Sequence, residues 1–454
     1  MTKAALEAIR QIVGEKGWID GQASLEPYLA EQRGRFRGTC LCAVRPASTQ
    51  DVAAVVEICA GAAIPIVPQG GNTGLVGGAV PDGGLVLSTE RRTLTLEAGV
   101  ILADVQKTAD QADLFFPLSL GAEGSCRIGG NISTNAGGVG VLRYGNARDL
   151  VLGLEVVLPD GRIWNGLRGL RKDNTGYDIK QLFIGAEGTL GIITAAVLKL
   201  FPKPKQKETS LVALSGLAEA QSFFALAQDA FGVSLSAFEM MGRTGLDFAL
   251  RHVPGLKDPF ESPHPYYILL ELSGGGDARL KESLEKALEN AFEKAVIEDA
   301  VIAASTAQAN TLWRLREAIP EAQKHEGGSI KHDISIPIGR IADFISQGSA
   351  LAERELPGVR VCAFGHFGDG NIHFNLSQPE GMEKQAFLDM WEKFNRMIHD
   401  LALGMGGSFS AEHGVGLLKR GDMTLYKQGV ELDLMRSLKS AIDPQGIMNP
   451  GKVL

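Results

Sequence analysis

The chain has 454 residues, 44% hydrophobic and 22% charged, ordinary globular values that exclude disordered and fibrous classes and suit two or three domains rather than one core. Its formal net charge is −8, with a pI near 5.6 and no basic block, which argues against a nucleic-acid surface. Five scattered cysteines, Cys40, Cys42, Cys59, Cys126 and Cys362, form neither a zinc spacing nor a CxxC pair, so a reduced, cytoplasmic setting is the expectation.

No apolar run approaches the ~20 residues of a membrane helix. The opening MTKAALEAIRQIVGEKGW reads as a docked amphipathic helix, because Ala5, Ile9, Ile12 and Val13 recur at helical spacing and Glu7 and Glu15 disfavour a targeting peptide. Glycine then concentrates in Gly61–Gly84, Gly121–Gly145 and Gly161–Gly191, beside short β-branched runs. That pattern means strands joined by tight loops whose backbone approaches a ligand. AIPIVPQGG and GGLVLST read as strands, and LGLEVVLPDGRIWNG as a hairpin turning at Asp160-Gly161.

Past a Pro/Lys-rich linker at Lys199–Glu208 the texture changes. Helices at Ala218–Phe231, Asp277–Val296, Ala307–Gln323 and Ile341–Glu355 alternate with strands in YYILLELSG, HDISIPI and VRVCAFGHF, an α+β sheet covered by helices on one face. From about Ser410 the chain is glycine-punctuated again and ends NPGKVL.

The loop PIVPQGGNTGLVGGAVP follows a strand and can turn its N–H groups inward around a pyrophosphate, or serve as a structural loop. No GxGxxG with a distant acid supports a Rossmann site. GIMNPGKV fits GxxxxGK, but Val453 stands where Ser or Thr would hold magnesium. Two more loops carry similar chemistry: GSCRIGGNISTNAGG brings Ser133, Thr134 and Asn135, and NTGYDIKQLFIGAEGTLGIIT brings Glu187. Three such loops imply one long ligand.

With these motifs and the terminal NPGK, the sequence resembles the FAD-binding oxidoreductases of the vanillyl-alcohol oxidase type, in the D-2-hydroxyacid dehydrogenase branch. The resemblance implies an α+β fold: an FAD-binding domain over 1–205, a substrate (cap) domain with an antiparallel sheet and helices over 206–409, and a segment over 410–454 returning to the FAD domain. It implies FAD contacts at Pro68, Gly70, Gly71, Asn72, Thr73, Gly74, Leu75, Gly129, Gly130, Ser133, Thr134, Asn135, Gly138, Glu187, Gly191, Ile192 and Asn449. Some members attach the flavin through a histidine of this loop; here no histidine precedes His252, so dissociable FAD is expected.

VCAFGHFGDGNIHFNLSQP carries two of the eight histidines. With Asp369-Gly370 as the two central residues of a type I′ turn, Gly368 faces Asn371, Phe367 faces Ile372 and His366 faces His373. Period-two alternation adds Phe364 and Asn375 to that face. Two neutral imidazoles so placed can ligate one metal, and the alternative is an ordinary hydrogen-bonded pair. By resemblance, Glu412 completes a zinc (or other divalent) site with His366 and His373, and His413 is the base at the reaction centre. Arg316, Lys331 and Asn375, with His413, would contact substrate. Arg314 and Arg316 differ by about 200° of helical phase, so they do not share a face. The dicarboxylate-specific pattern has a threonine where this chain has Pro320, which weakens a distal-carboxylate contact.

The implied reaction is oxidation of a D-2-hydroxy acid to its 2-oxo acid, D-2-hydroxyglutarate first among candidates, with electrons passed to an electron-transfer flavoprotein, quinone or cytochrome. D-lactate or another D-2-hydroxy acid, or a flavin subunit of a glycolate-oxidase-like complex, is the alternative. A silent electron-transfer or assembly subunit would leave the histidines unexplained, and a metal-dependent hydrolase would leave the glycine loops idle. No transmembrane segment or nucleic-acid partner is expected, and a homodimer is left open.

Overall fold

The computed structural model describes residues 2–88, 97–276 and 279–454. Thr89 at the end of GGLVLST and Asp277 at the start of a predicted helix lie outside the described residues. The chain divides into two compact units: 1–137 with 145–202 and 412–454, and 138–144 with 203–411.

In the first unit, strands Trp18–Ile19, Cys42–Val44, Leu85–Ser88 and Ile66–Gln69 form a four-stranded sheet in that order. Its last three strands run parallel. Cys42–Val44 and Leu85–Ser88 are buried at every position, as continuous apolar strands of a parallel sheet are. Helix Thr49–Ala62 starts where the Ser48 hydroxyl accepts the Asp51 amide, an N-cap. It turns Val52, Val55, Val56 and Cys59 onto the sheet, and Ile9 and Val13 of the N-terminal helix join the same core. The chain end adds to this sheet: Ile66 N donates to Ile447 O at 2.7 Å, and Asn449 N donates to Ile66 O at 2.8 Å. A separate antiparallel sheet has the order Ile163–Gly166, Val151–Val157, Ile192–Leu198.

The second unit is built on one antiparallel sheet. Its order is Asp299–Ile302, Gln206–Leu214, Tyr266–Gly274, Leu235–Gly242, Arg360–His366 and Asn371–Ser377, with Ser329–Ile330 and Asp333–Ser335 both on the outer side of the last strand. One face packs Val212, Leu214, Phe238, Ile268, Leu270 and Phe374 under helices Leu217–Phe231, Leu280–Glu293, Ile341–Glu355 and Trp391–Gly404. The expectation of a single helical face is corrected here. Leu211, Ala213, Met241, Tyr267 and Leu269 make the opposite face apolar as well, and helices Arg243–His252, Thr306–Glu317 and Ile319–Ala322 cover it. Apolar residues at both parities of a strand require cover on both sides.

Candidate active site

The first unit holds a cleft of about 410 Å³, within the range of small-molecule sites. Three loops meet there: Pro68 and Gly70 through Leu75; Gly129, Gly130, Ser133 and Thr134; and Glu187, Gly191 and Ile192. Among the described residues, the backbone N–H groups from Gly70 to Leu75 donate to no protein acceptor, so a row of donors is available to a ligand. A Cβ at Gly71 would stand 2.2 Å from Ser125 O, whereas Gly74 and Gly130 have nothing within 4 Å. Gly71 is therefore glycine for packing, and Gly74 and Gly130 keep space open.

Three expected contacts are not among the residues lining the cleft. Asn135 Oδ1 accepts the Arg148 amide at 2.9 Å, Gly138 belongs to the second unit, and Asn449 is 2% exposed. The Asn449 side-chain amide donates to Gly78 O and Glu187 O at 2.9 and 2.7 Å, tying two cleft loops together. Arg127, which motif reading passed over, also lines the cleft and donates to Gly99 O at 3.0 Å.

Glu412 and His413 line the same cleft, with Glu412 Oε1 3.9 Å from His413 Nε2. What holds them is Glu187. Its carboxylate accepts the Val415 and Gly416 amides at 2.7 and 2.8 Å, just after the Glu-His pair. Burial pushes the Glu187 carboxyl up, against those amide donors and Lys419, which pull it down. His413 is the sole histidine of this unit.

In the second unit the hairpin differs from the predicted one. His366 pairs with Asn371, Phe364 with His373 and Cys362 with Asn375, so the two histidines are diagonal rather than opposed. The loop has four residues, Phe367–Gly370, with Gly370 at φ +87°. Phe367 is fully buried against Phe224 and Phe238, which draws it out of the ladder that a two-residue turn would have kept. The slip is by two, so every side chain keeps its face. The imidazole centroids lie 5.8 Å apart.

Neighbouring strands extend that face. Glu239 stands opposite His366, Asp333 opposite His373, and the unbroken register from Ile330↔Leu376 to Asp333↔His373 sets Lys331 beside Asn375. Glu239 Oε1 is 2.7 Å from His366 Nδ1, and Asp333 Oδ1 is 3.9 Å from His373 Nδ1. Arg316 reaches in from its helix, donating from Nε to Glu239 Oε2 at 3.0 Å with its guanidinium 4.8 Å above the Phe364 ring. His366 and Arg316 outweigh burial and hold the Glu239 carboxyl below its usual range. Asn375 donates to Gln323 Oε1 at 2.9 Å, and Gln323 donates to Ser377 Oγ at 2.9 Å. Arg314 and Pro320 are exposed, the latter at the start of helix Ile319–Ala322.

The face thus collects Arg316, Lys331, His366, His373 and Asn375. Glu239, Asp333 and Gln323 were invisible in sequence because no local spacing marks them. His366, whose Nδ1 lies 2.7 Å from the buried Glu239 carboxylate, suits a metal at Nε2.

Residues 203–453 match the family of FAD linked oxidases, C-terminal domain, and residues 40–166 match the FAD binding domain. The chain belongs to the FAD-linked oxidase family. Two relatives are a mitochondrial D-2-hydroxyglutarate dehydrogenase of Arabidopsis thaliana, 38% identical over 98% of this chain and 80% of that protein, and a D-2-hydroxyglutarate dehydrogenase of Xanthomonas citri pv. viticola, 37% identical over 100% and 97%. Among solved structures, p-cresol methylhydroxylase shares the fold, with a TM-score of 0.77 at 17% identity over 99% of this chain and 96% of that one. The cleft fits the FAD of this family: among the described residues the amides from Gly70 to Leu75 have no protein acceptor and suit a pyrophosphate, Arg127 adds a cation, and Gly74 and Gly130 leave room. Among the described residues no helix is long and apolar enough to cross a membrane.

Proposed function

We propose that this chain oxidises D-2-hydroxyglutarate to 2-oxoglutarate with non-covalent FAD and a divalent metal, zinc by resemblance, and passes the electrons to a second acceptor such as an electron-transfer flavoprotein, quinone or cytochrome. The observation that carries this reading is the polar sheet face, where two histidines, Asn375 and two cations, Arg316 and Lys331, stand together in a chain that also carries an FAD-binding cleft. Two cations suit a substrate with two carboxylates. The relatives named as D-2-hydroxyglutarate dehydrogenases, at 38% and 37% identity over nearly the whole chain, support the same substrate.

His366, His373 and Glu412 are the proposed metal ligands. A metal so held would polarise the substrate hydroxyl and its adjacent carboxylate. FAD, when bound, supplies the hydride acceptor. His413 accepts the hydroxyl proton, for which a neutral imidazole is suited near pH 7. Arg316, Lys331 and Asn375 bind and orient the carboxylates, and Phe364 supports the Arg316 plane from below. Five free thiols agree with a reducing compartment such as the cytoplasm.

The test is a panel of D- and L-2-hydroxy acids, including D-2-hydroxyglutarate, D-lactate and glycolate, assayed with a dye acceptor before and after chelation. The reading expects the highest kcat/KM with D-2-hydroxyglutarate and a loss on chelation that zinc restores. Absence of dye reduction with every acid defeats the reading, and full activity after complete metal removal defeats its metal part.

A further inference from the structure

Glu239 is a buried, doubly held charge on the polar face. It is 1% exposed, lies on the strand Leu235–Gly242, and divides its two oxygens between two partners. Oε1 lies 2.7 Å from His366 Nδ1, and Oε2 takes Arg316 Nε at 3.0 Å and Arg316 Nη2 at 3.0 Å.

The geometry points to Glu239 as a positioning residue that fixes His366 in the Nδ1–H tautomer and, through its other oxygen, sets the Arg316 guanidinium. A carboxylate only accepts, and a guanidinium only donates. Glu239 Oε2 therefore satisfies Arg316, while Oε1 draws the imidazole proton to Nδ1 and leaves the lone pair on Nε2. A proposed metal ligand and a proposed substrate contact are oriented by one carboxylate. A purely structural counter-ion for buried Arg316 would have no need of the second contact, which the cross-strand register Glu239↔His366 builds in. This inference rests on reading His366 as a ligand.

Glutamine at this position makes the idea decisive. Because Arg316 cannot accept, the amide oxygen of Glu239→Gln must face Arg316 and its NH₂ must face His366 Nδ1. The imidazole then has to accept at Nδ1 and carry its proton on Nε2, where a metal would bind. Metal-free protein labelled with ¹⁵N-histidine reports the tautomer directly at pH 8, with the His366 resonances assigned by their loss in His366→Ala. The expected result is Nδ1–H in the wild type and Nε2–H in Glu239→Gln. Zinc affinity, read by competition with a chromophoric chelator, should fall about 10- to 100-fold in Glu239→Gln, and by less in Glu239→Asp, at unchanged FAD content.

An Nε2–H tautomer in the wild type overturns the inference without any variant needing to fold. So does wild-type zinc affinity in Glu239→Gln while His366→Ala loses zinc. If His366→Ala also keeps zinc, the ligand reading itself fails and takes this inference with it.

Discussion

A Cβ at Gly414 would lie 2.6 Å from Glu187 Oε1, and Gly414 holds φ +78°. The residue after the Glu412-His413 pair is thus glycine for two independent reasons, backbone conformation and contact with a buried carboxylate. Gly414→Ala incurs both costs, about 1 kcal/mol for the left-handed conformation and ~1–3 kcal/mol for the overlap. We expect kcat/KM to fall at least about tenfold with a lower melting temperature, measured by steady-state kinetics and calorimetry. Wild-type kinetics in this variant would show that Glu187 does not position the pair.

Two glycines of the first loop separate packing from ligand space. Gly71→Ala meets Ser125 O at 2.2 Å and should destabilise the protein by about 1–3 kcal/mol, read from denaturant unfolding of the apoprotein. A Cβ at Gly74 meets nothing within 4 Å, so Gly74→Val should leave that stability within about 0.5 kcal/mol. It fills space reserved for the cofactor, so the FAD Kd should rise at least about tenfold, read by flavin fluorescence. Equal FAD affinity in the two proteins would remove Gly74 from the cofactor wall.

Arg316 brings both Nε and Nη2 to Glu239 Oε2 and is stacked over Phe364, contacts that need a planar fork. Arg316→Lys should raise KM for D-2-hydroxyglutarate about tenfold or more, with a smaller effect on D-lactate, which lacks the second carboxylate. Equal losses for the two substrates would assign Arg316 a structural role alone.

Asp369 gives a pH dependence. Burial raises its carboxyl from 3.8 to about 6, with His366 lowering and Glu239 raising it further. A raised acid stabilises the fold while protonated: the contribution is complete below the unfolded value of 3.8 and is lost as pH climbs through about 6. Asn, permanently neutral, keeps the side-chain oxygen that accepts the Asn371 amide at 3.1 Å. Discounted for partial exposure, Asp369→Asn should exceed the metal-free wild type in stability by ~1–2 kcal/mol at pH 8 and by nothing at pH 4. Urea unfolding at pH 4, 6 and 8 checks this, and a gap independent of pH would refute it.

The glycine loops were legible because conformational demand leaves its trace in the residue type itself. The polar face of the hairpin was legible because a strand's period of two survives an error in the turn. The turn was not legible, since Phe367 obeys the aromatic cluster of Phe224 and Phe238, which local turn chemistry does not contain. Glu239 was hidden most completely. It is one of 53 acidic residues, and its partner His366 lies 127 positions away, so only the sheet brings them together.

The strand Asn371–Ser377 puts Asn371, His373, Asn375 and Ser377 on one side and Ile372, Phe374 and Leu376 on the other. The consequence is a reading frame in three dimensions. A one-residue insertion or deletion here would drive imidazole into the main core and phenylalanine into the polar face at the same stroke. Substitutions at the odd positions, by contrast, leave the even-numbered packing in place. The strand therefore tolerates changes of letter far better than changes of length, because a substitution at Asn375 leaves Phe374 and Leu376 in the core.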